Sequence, residues 1–211
     1  MTTPEEHFEL DGIDNLIDNI EMVALFLETP LPYKWKWVTI ALHQALYGIL
    51  ISALQGTDPR QTVFDKQKDS GKAVALHANK VTIDIIASYF GKTEDAIRDW
   101  ISNPYLISLD EALRRAKQKE YLPSLVNSQP LVTTAEEDDA IYKLTKEFRN
   151  EFEHFAPKGW LVLSSGMPAI VSSLLRVIRF LGIESNFVAM SLEQEQCFKT
   201  ALSKVEQLLN L

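Results

Sequence analysis

Apolar residues recur at helical spacing along most of this chain. Ile13, Leu16, Ile17, Ile20, Val23, Ala24 and Leu27 fall three or four positions apart and are closed off by Pro30 and Pro32, which predicts a helix over 11–29. A second helix, over 33–55, is apolar almost all round and reaches Gly56, a residue able to take the left-handed conformation that ends helices. Residues 57–73 read as a connecting loop, and short helices are predicted at 81–90, 94–101 and 109–119. After a loop over 122–132 with Pro123 and Pro130, Thr134 and Glu137 form the pattern of a capping box. The helix they open carries the stripe Ile141, Leu144, Phe148, Phe152 and Phe155, expected to face the core, and Pro157 with Gly159 stops it. Two more helices follow, one over 168–181 ending at Gly182, the other running from Ser191 as N-cap to the C-terminus.

Only 126–132 and 160–163 could compete as strands, so the expected fold is all-α. Long helices at both ends and a more polar middle predict one domain over 1–211. Its helical bundle is built from the first two and last three helices, with the short helices of 74–121 inserted. Composition agrees with a packed core, at 46% hydrophobic and 24% charged residues.

A single cysteine, Cys197, excludes an internal disulfide and a cysteine-based metal cluster and fits a reducing compartment. The acidic first ten residues lack the basic-then-apolar order of a secretory signal, so the expectation is a cytoplasmic protein. Residues 37–54 are apolar enough to raise a membrane question, but His43, Gln44 and Ser52 lie inside them and a buried bundle helix reads the same way. The net charge of -8 and pI near 5.1 disfavour broad phosphate neutralisation, so any nucleic-acid contact must be local.

Chemistry concentrates near the end of the 134-onward helix, in Arg149-Asn150-Glu151-Phe152-Glu153-His154. Arg149 and His154 are five positions apart, about 140° around a helix at roughly 3.6 residues per turn, and Asn150 is four from His154, so the three share a polar side. The negative end of a helix favours the protonated imidazole and suits His154 to acid–base work near neutral pH. Arg149 offers a permanent fork for phosphate oxygens, and Asn150 an amide that orients histidine or substrate. Together they suit metal-free RNA transesterification: the histidine moves a proton while the arginine stabilises charge growing on phosphorus.

The arginine, the asparagine directly after it and the histidine after a short spacer resemble the motif of the HEPN superfamily of helical bundles. The flanks Leu144 to Trp160, Trp35 to Gly48 and Ala53 to Gly56 look like a group of bacterial proteins of this kind. The likeness covers the first two helices and about 120–181; the middle departs from shorter relatives. It implies a homodimer whose paired motifs face one cleft, RNA as substrate, no cofactor or metal, and in some members a toxin role opposite a nucleotidyltransferase-type antitoxin. Arg149, Asn150 and His154 would be catalytic, with His43 and Lys158 lining the cleft. Other members have lost catalysis and only bind.

Plainer readings stand beside these. Arg149 and His154 could be surface residues paired with Glu147, Glu151 or Glu153, worth only about 0.3–0.5 kcal/mol per pair, and those carboxylates repel RNA. His43 could be a core histidine with one hydrogen bond. Trp35, Trp37 and Trp160 read as packing residues and dimer anchors, and four scattered histidines offer no metal-ligand spacing. Residues 83–101 have the spacing of a helix-turn-helix, with Ala87, Gly91 and Ile97 at key positions. Its second helix carries Glu94, Asp95 and Asp99, which makes a packed hairpin the better reading than a DNA reader dependent on Lys92 and Arg98. The basic cluster Arg114, Arg115, Lys117 and Lys119 reads as a solvated face.

Overall fold

A computed structural model describes residues 10–55, 63, 87–88, 91, 93–95, 106–122, 129–153 and 163–210, with backbone only at Asn150 and Glu153. The described residues form six helices and no strand, an all-α fold. They are α1 (Gly12–Glu28), α2 (Lys34–Gln55), α3 (Leu109–Ala116), α4 (Ala135–Tyr142, continuing through Lys143–Phe148 into Arg149–Glu153), α5 (Met167–Arg179, continuing through Phe180–Glu184) and α6 (Leu192–Leu208). A 3-10 turn, Lys119–Tyr121, follows α3.

α1, α4 and α6 start where a side chain can satisfy their first amides. Asp11 Oδ1 accepts from the N–H groups of Ile13 and Asp14, both at 2.7 Å. The capping box of α4 forms: Glu137 N–H donates to Thr134 Oγ1 at 3.2 Å, and Thr134 N–H to Glu137 Oε2 at 2.7 Å. Ser191 and Gln194 repeat that exchange at α6, with both bonds at 3.1 Å.

α2 is the central helix. α1, α3, α4 and α5 all pack against it, and α6 covers α1 and touches α5. Enclosure on so many sides explains why α2 is apolar around its whole circumference, from Val38, Leu42 and Leu46 to Ile49, Leu50 and Leu54. Each such side chain contributes about 1.5–3 kcal/mol on burial. α2 and Ser164–Glu184 are long and apolar enough to cross a membrane by length and composition, and 61% of the α2 stretch is buried inside the protein. Ile107, Leu109, Ala112 and Ala116 join this same core, as does Val63, whose carbonyl accepts from Ile107 N–H at 2.9 Å.

Two stretches depart from the 3.6-residue repeat. Lys143–Phe148 in α4 and Phe180–Glu184 in α5 are π-helical, closing their bonds five residues back: Arg149 N–H donates to the Leu144 carbonyl, and Ser185 N–H to that of Phe180 at 2.8 Å. α5 therefore runs through Gly182 instead of stopping there. The left-handed residue that ends it is Asn186, at φ 57. Gly182 serves a close approach: a Cβ at this position would lie 2.5 Å from Phe198 Cε1 of α6.

The basic cluster after 113 is engaged and not merely solvated. Arg114 and Arg115 both bond Glu111 and lie over the Tyr121 ring, and Lys117 reaches Asp138 of α4 at 2.8 Å. The Arg114 contact, ahead of that with Arg115, draws the Glu111 carboxyl down to about 2. Of the helix-turn-helix pattern, Ala87 is buried, Gly91 turns at φ 62 and Glu94 and Asp95 are exposed; Ile97, Arg98 and Asp99 lie outside the described residues.

Candidate active site

Arg149 opens the last turn of α4, directly after the π-helical stretch. That stretch is held from inside: Thr145 is buried and its hydroxyl donates to the Ile141 carbonyl at 2.9 Å, one of the carbonyls that a π-helical turn displaces from its usual partner. From outside, Lys146 pairs with Asp110 at the start of α3. Arg149 is thus positioned by the element before it, and its angular position differs from that of an unbroken α-helix begun at Thr134.

Arg149 is half-buried, and its Nε is sealed from solvent. Glu147 is exposed and Glu151 half-buried on the same stretch. The phenylalanine stripe divides. Ile141 and Leu144 belong to the core, whereas Phe148 and Phe152, four apart, are only half-buried and stack on each other with ring centroids 6.3 Å apart at 20°. Phe155 lies outside the described residues, as do His154, Lys158 and Trp160. Asn150 continues the helix beside Arg149.

His43 sits on α2, against which the Arg149–Glu153 turn packs. It is 8% exposed and its Nδ1 is sealed. One turn earlier Thr39 is buried too, its hydroxyl donating to the Trp35 carbonyl at 2.7 Å. The fold thus brings the element bearing Arg149 and Asn150 onto the element bearing His43. The buried Thr145 hydroxyl, which takes part in setting this geometry, had no signal in the sequence beyond being a threonine at a core position.

Among the described residues, concavities also lie elsewhere. A groove of about 510 Å³ runs between α1 and α6, lined by Asp14, Ile17, Asp18, Glu21, Glu193 and Cys197 among others. One of about 240 Å³ lies by the start of α4, where Arg176 faces the buried Glu137 at 3.3 Å and Arg179 holds Glu206 of α6 at 2.6 Å. Both arginines there are already engaged by carboxylates. Among the described residues no three His, Cys, Asp or Glu side chains gather as a metal-ligand set. In comparisons with known protein families, with curated proteins and with solved structures, nothing matches this chain.

Proposed function

We propose that this chain is a HEPN-like cytoplasmic protein acting as a homodimer, with Arg149, Asn150 and His154 forming a metal-independent ribonuclease site. The observation that carries the reading is the placement of Arg149: a half-buried guanidinium directly after a π-helical turn, the kind of helix irregularity that recurs at functional sites. In this reading the arginine grips a phosphate oxygen, and His154 moves the proton of the attacking 2′-hydroxyl. His43 buttresses the cleft from α2, and Lys158 adds a cation at its rim. RNA is the substrate, and a nucleotidyltransferase-type antitoxin is the candidate regulator.

The test is cleavage of single-stranded RNA in the presence of a chelator. Wild-type protein should cleave, and Arg149→Ala or His154→Ala should each lower the rate at least a hundredfold, since a positioned acid–base group is worth about 10²–10⁴. Undiminished cleavage by both variants overturns the site. A second reading, a binding member without catalysis, draws on the sealed Nε of Arg149, which leaves part of the guanidinium inside the protein, and on the acidic residues Glu147 and Glu151 on the same stretch. It predicts an intact dimer that binds RNA or another anionic ligand without cutting it.

A further inference from the structure

α1 and α2 meet in a hairpin whose tip is unusually apolar and cationic for so acidic a chain. Leu25, Leu31, Tyr33 and Trp37 are 49%, 42%, 76% and 42% exposed, and prolines 30 and 32 stiffen the turn between them. Trp37 stacks on Phe26 at 5.9 Å, and Lys36 Nζ lies 4.9 Å from the Trp37 ring centre. Lys34 is fixed by donating to the Leu27 carbonyl at 3.1 Å. The one carboxylate of the turn, Glu28, is held by Lys204 at 3.0 Å. Adjacent exposed apolar side chains of this kind mark interaction surfaces.

The complementary surface is on the same chain. The groove between α1 and α6 has Ile17 and Cys197 as apolar lining and Asp14, Asp18, Glu21 and Glu193 as acidic lining, and its volume of about 510 Å³ accommodates an aromatic side chain. Groove and tip lie towards opposite ends of α1, which at 1.5 Å per residue is about 26 Å long. Two copies with antiparallel α1 helices can therefore each give a tip and receive one, a closed two-fold exchange.

We infer that the α1–α2 tip docks into the α1–α6 groove of a second copy, Tyr33 entering the groove and Lys34 and Lys36 meeting Asp18 and Glu21. It rests on the dimeric half of the functional reading alone: the groove lies away from the Arg149 turn, so this interface does not itself bring two such turns together. Lipid and single-stranded RNA also accept aromatic and lysine side chains, but neither supplies the matching carboxylates that this chain carries.

Sedimentation equilibrium of the full chain tests it with two charge-reversed variants, K34E/K36E and D18K/E21K. All four positions are at least partly solvent-exposed, and far-UV circular dichroism checks that each variant stays helical. Wild type should be dimeric, and each variant alone should dissociate at least about tenfold more readily. An equimolar mixture of the two should regain the dimer, because each reversed tip then meets a reversed groove. Reversed variants that remain dimeric, or a mixture that remains monomeric, overturn this interface while leaving dimerisation itself standing. A monomeric wild type overturns both, as does tip-dependent binding to anionic vesicles or RNA by a monomer.

Discussion

The two π-helical turns use one backbone device to different ends. In α5 the turn at Phe180–Glu184 is closed by the core: Gly182 admits the Phe198 ring, and Ser185, fully buried, donates to the Leu181 carbonyl at 2.7 Å and accepts from Phe187 N–H at 3.3 Å. In α4 the turn at Lys143–Phe148 has one buried hydroxyl inside and two salt bridges outside, Lys143 with Asp139 and Lys146 with Asp110, with Phe148 half-exposed at its end. The first turn fits a helix into its neighbours. The second sets the direction in which polar side chains leave the protein.

That difference should appear as a gradient of mutational cost. Gly182→Ala places a methyl 2.5 Å from a buried ring, and overpacking of that severity costs about 3 kcal/mol in urea unfolding despite alanine's better helix propensity. Shrinking the ring as well, in G182A/F198L, should cost less than the sum of the two single changes. Unchanged stability in Gly182→Ala would remove the case for a core-locked turn. Ser185→Ala should come next at about 2 kcal/mol, because it strands the buried Phe187 N–H.

Thr145→Val should cost about 1 kcal/mol, the worth of one buried hydroxyl bond, yet disturb the amide spectrum around Arg149 more than Ser185→Ala disturbs any polar surface. Equal costs for the two substitutions would mean that the turns are equivalent.

The smallest effect concerns the outer brace of α4. Asp138 is held below its ordinary 3.8 by Lys117 first and Thr133 second. A lowered carboxyl stabilises the fold above its unfolded value and loses that contribution as pH falls through its folded one. Asp138→Asn should therefore cost well under 1 kcal/mol at pH 7, the pair being exposed, and the two proteins should converge once the pH falls below the lowered value of the folded carboxyl. Amide protection, corrected for the intrinsic exchange rate, should fall in α4 with acid before it does in α5.

The sequence carried the helices whose beginnings are chemical: Thr134 and Ser191 cap where their side chains and spacing say they should. It could not carry the π-helical turns, because a shift from four to five residues per bond leaves no residue signature. Gly182 has the pattern of a stop, its commonest helical role, whereas the cause of its presence lies on Phe198, sixteen positions away. The cluster at Arg114 and Lys117 misled for the same reason, since Asp138 meets Lys117 only through the packing of α3 on α4. The motif from Arg149 was legible as a spacing of residue types; its half-burial depends on α2 and could not be read from the spacing.

The link between Val63 and Ile107 has a consequence for how this chain tolerates change. Their backbones bond at 2.9 Å, and the Tyr47 hydroxyl donates to the Ile107 carbonyl at 2.6 Å, so two positions far apart in sequence are tied to α2 at one place. The entropy of closing such a detour grows only with the logarithm of its length, about 0.6 kcal/mol for each doubling. A change in the number of residues between these two anchors therefore carries only a small loop-closure cost, provided that their bond and the seat of Tyr47 against Ile107 are kept.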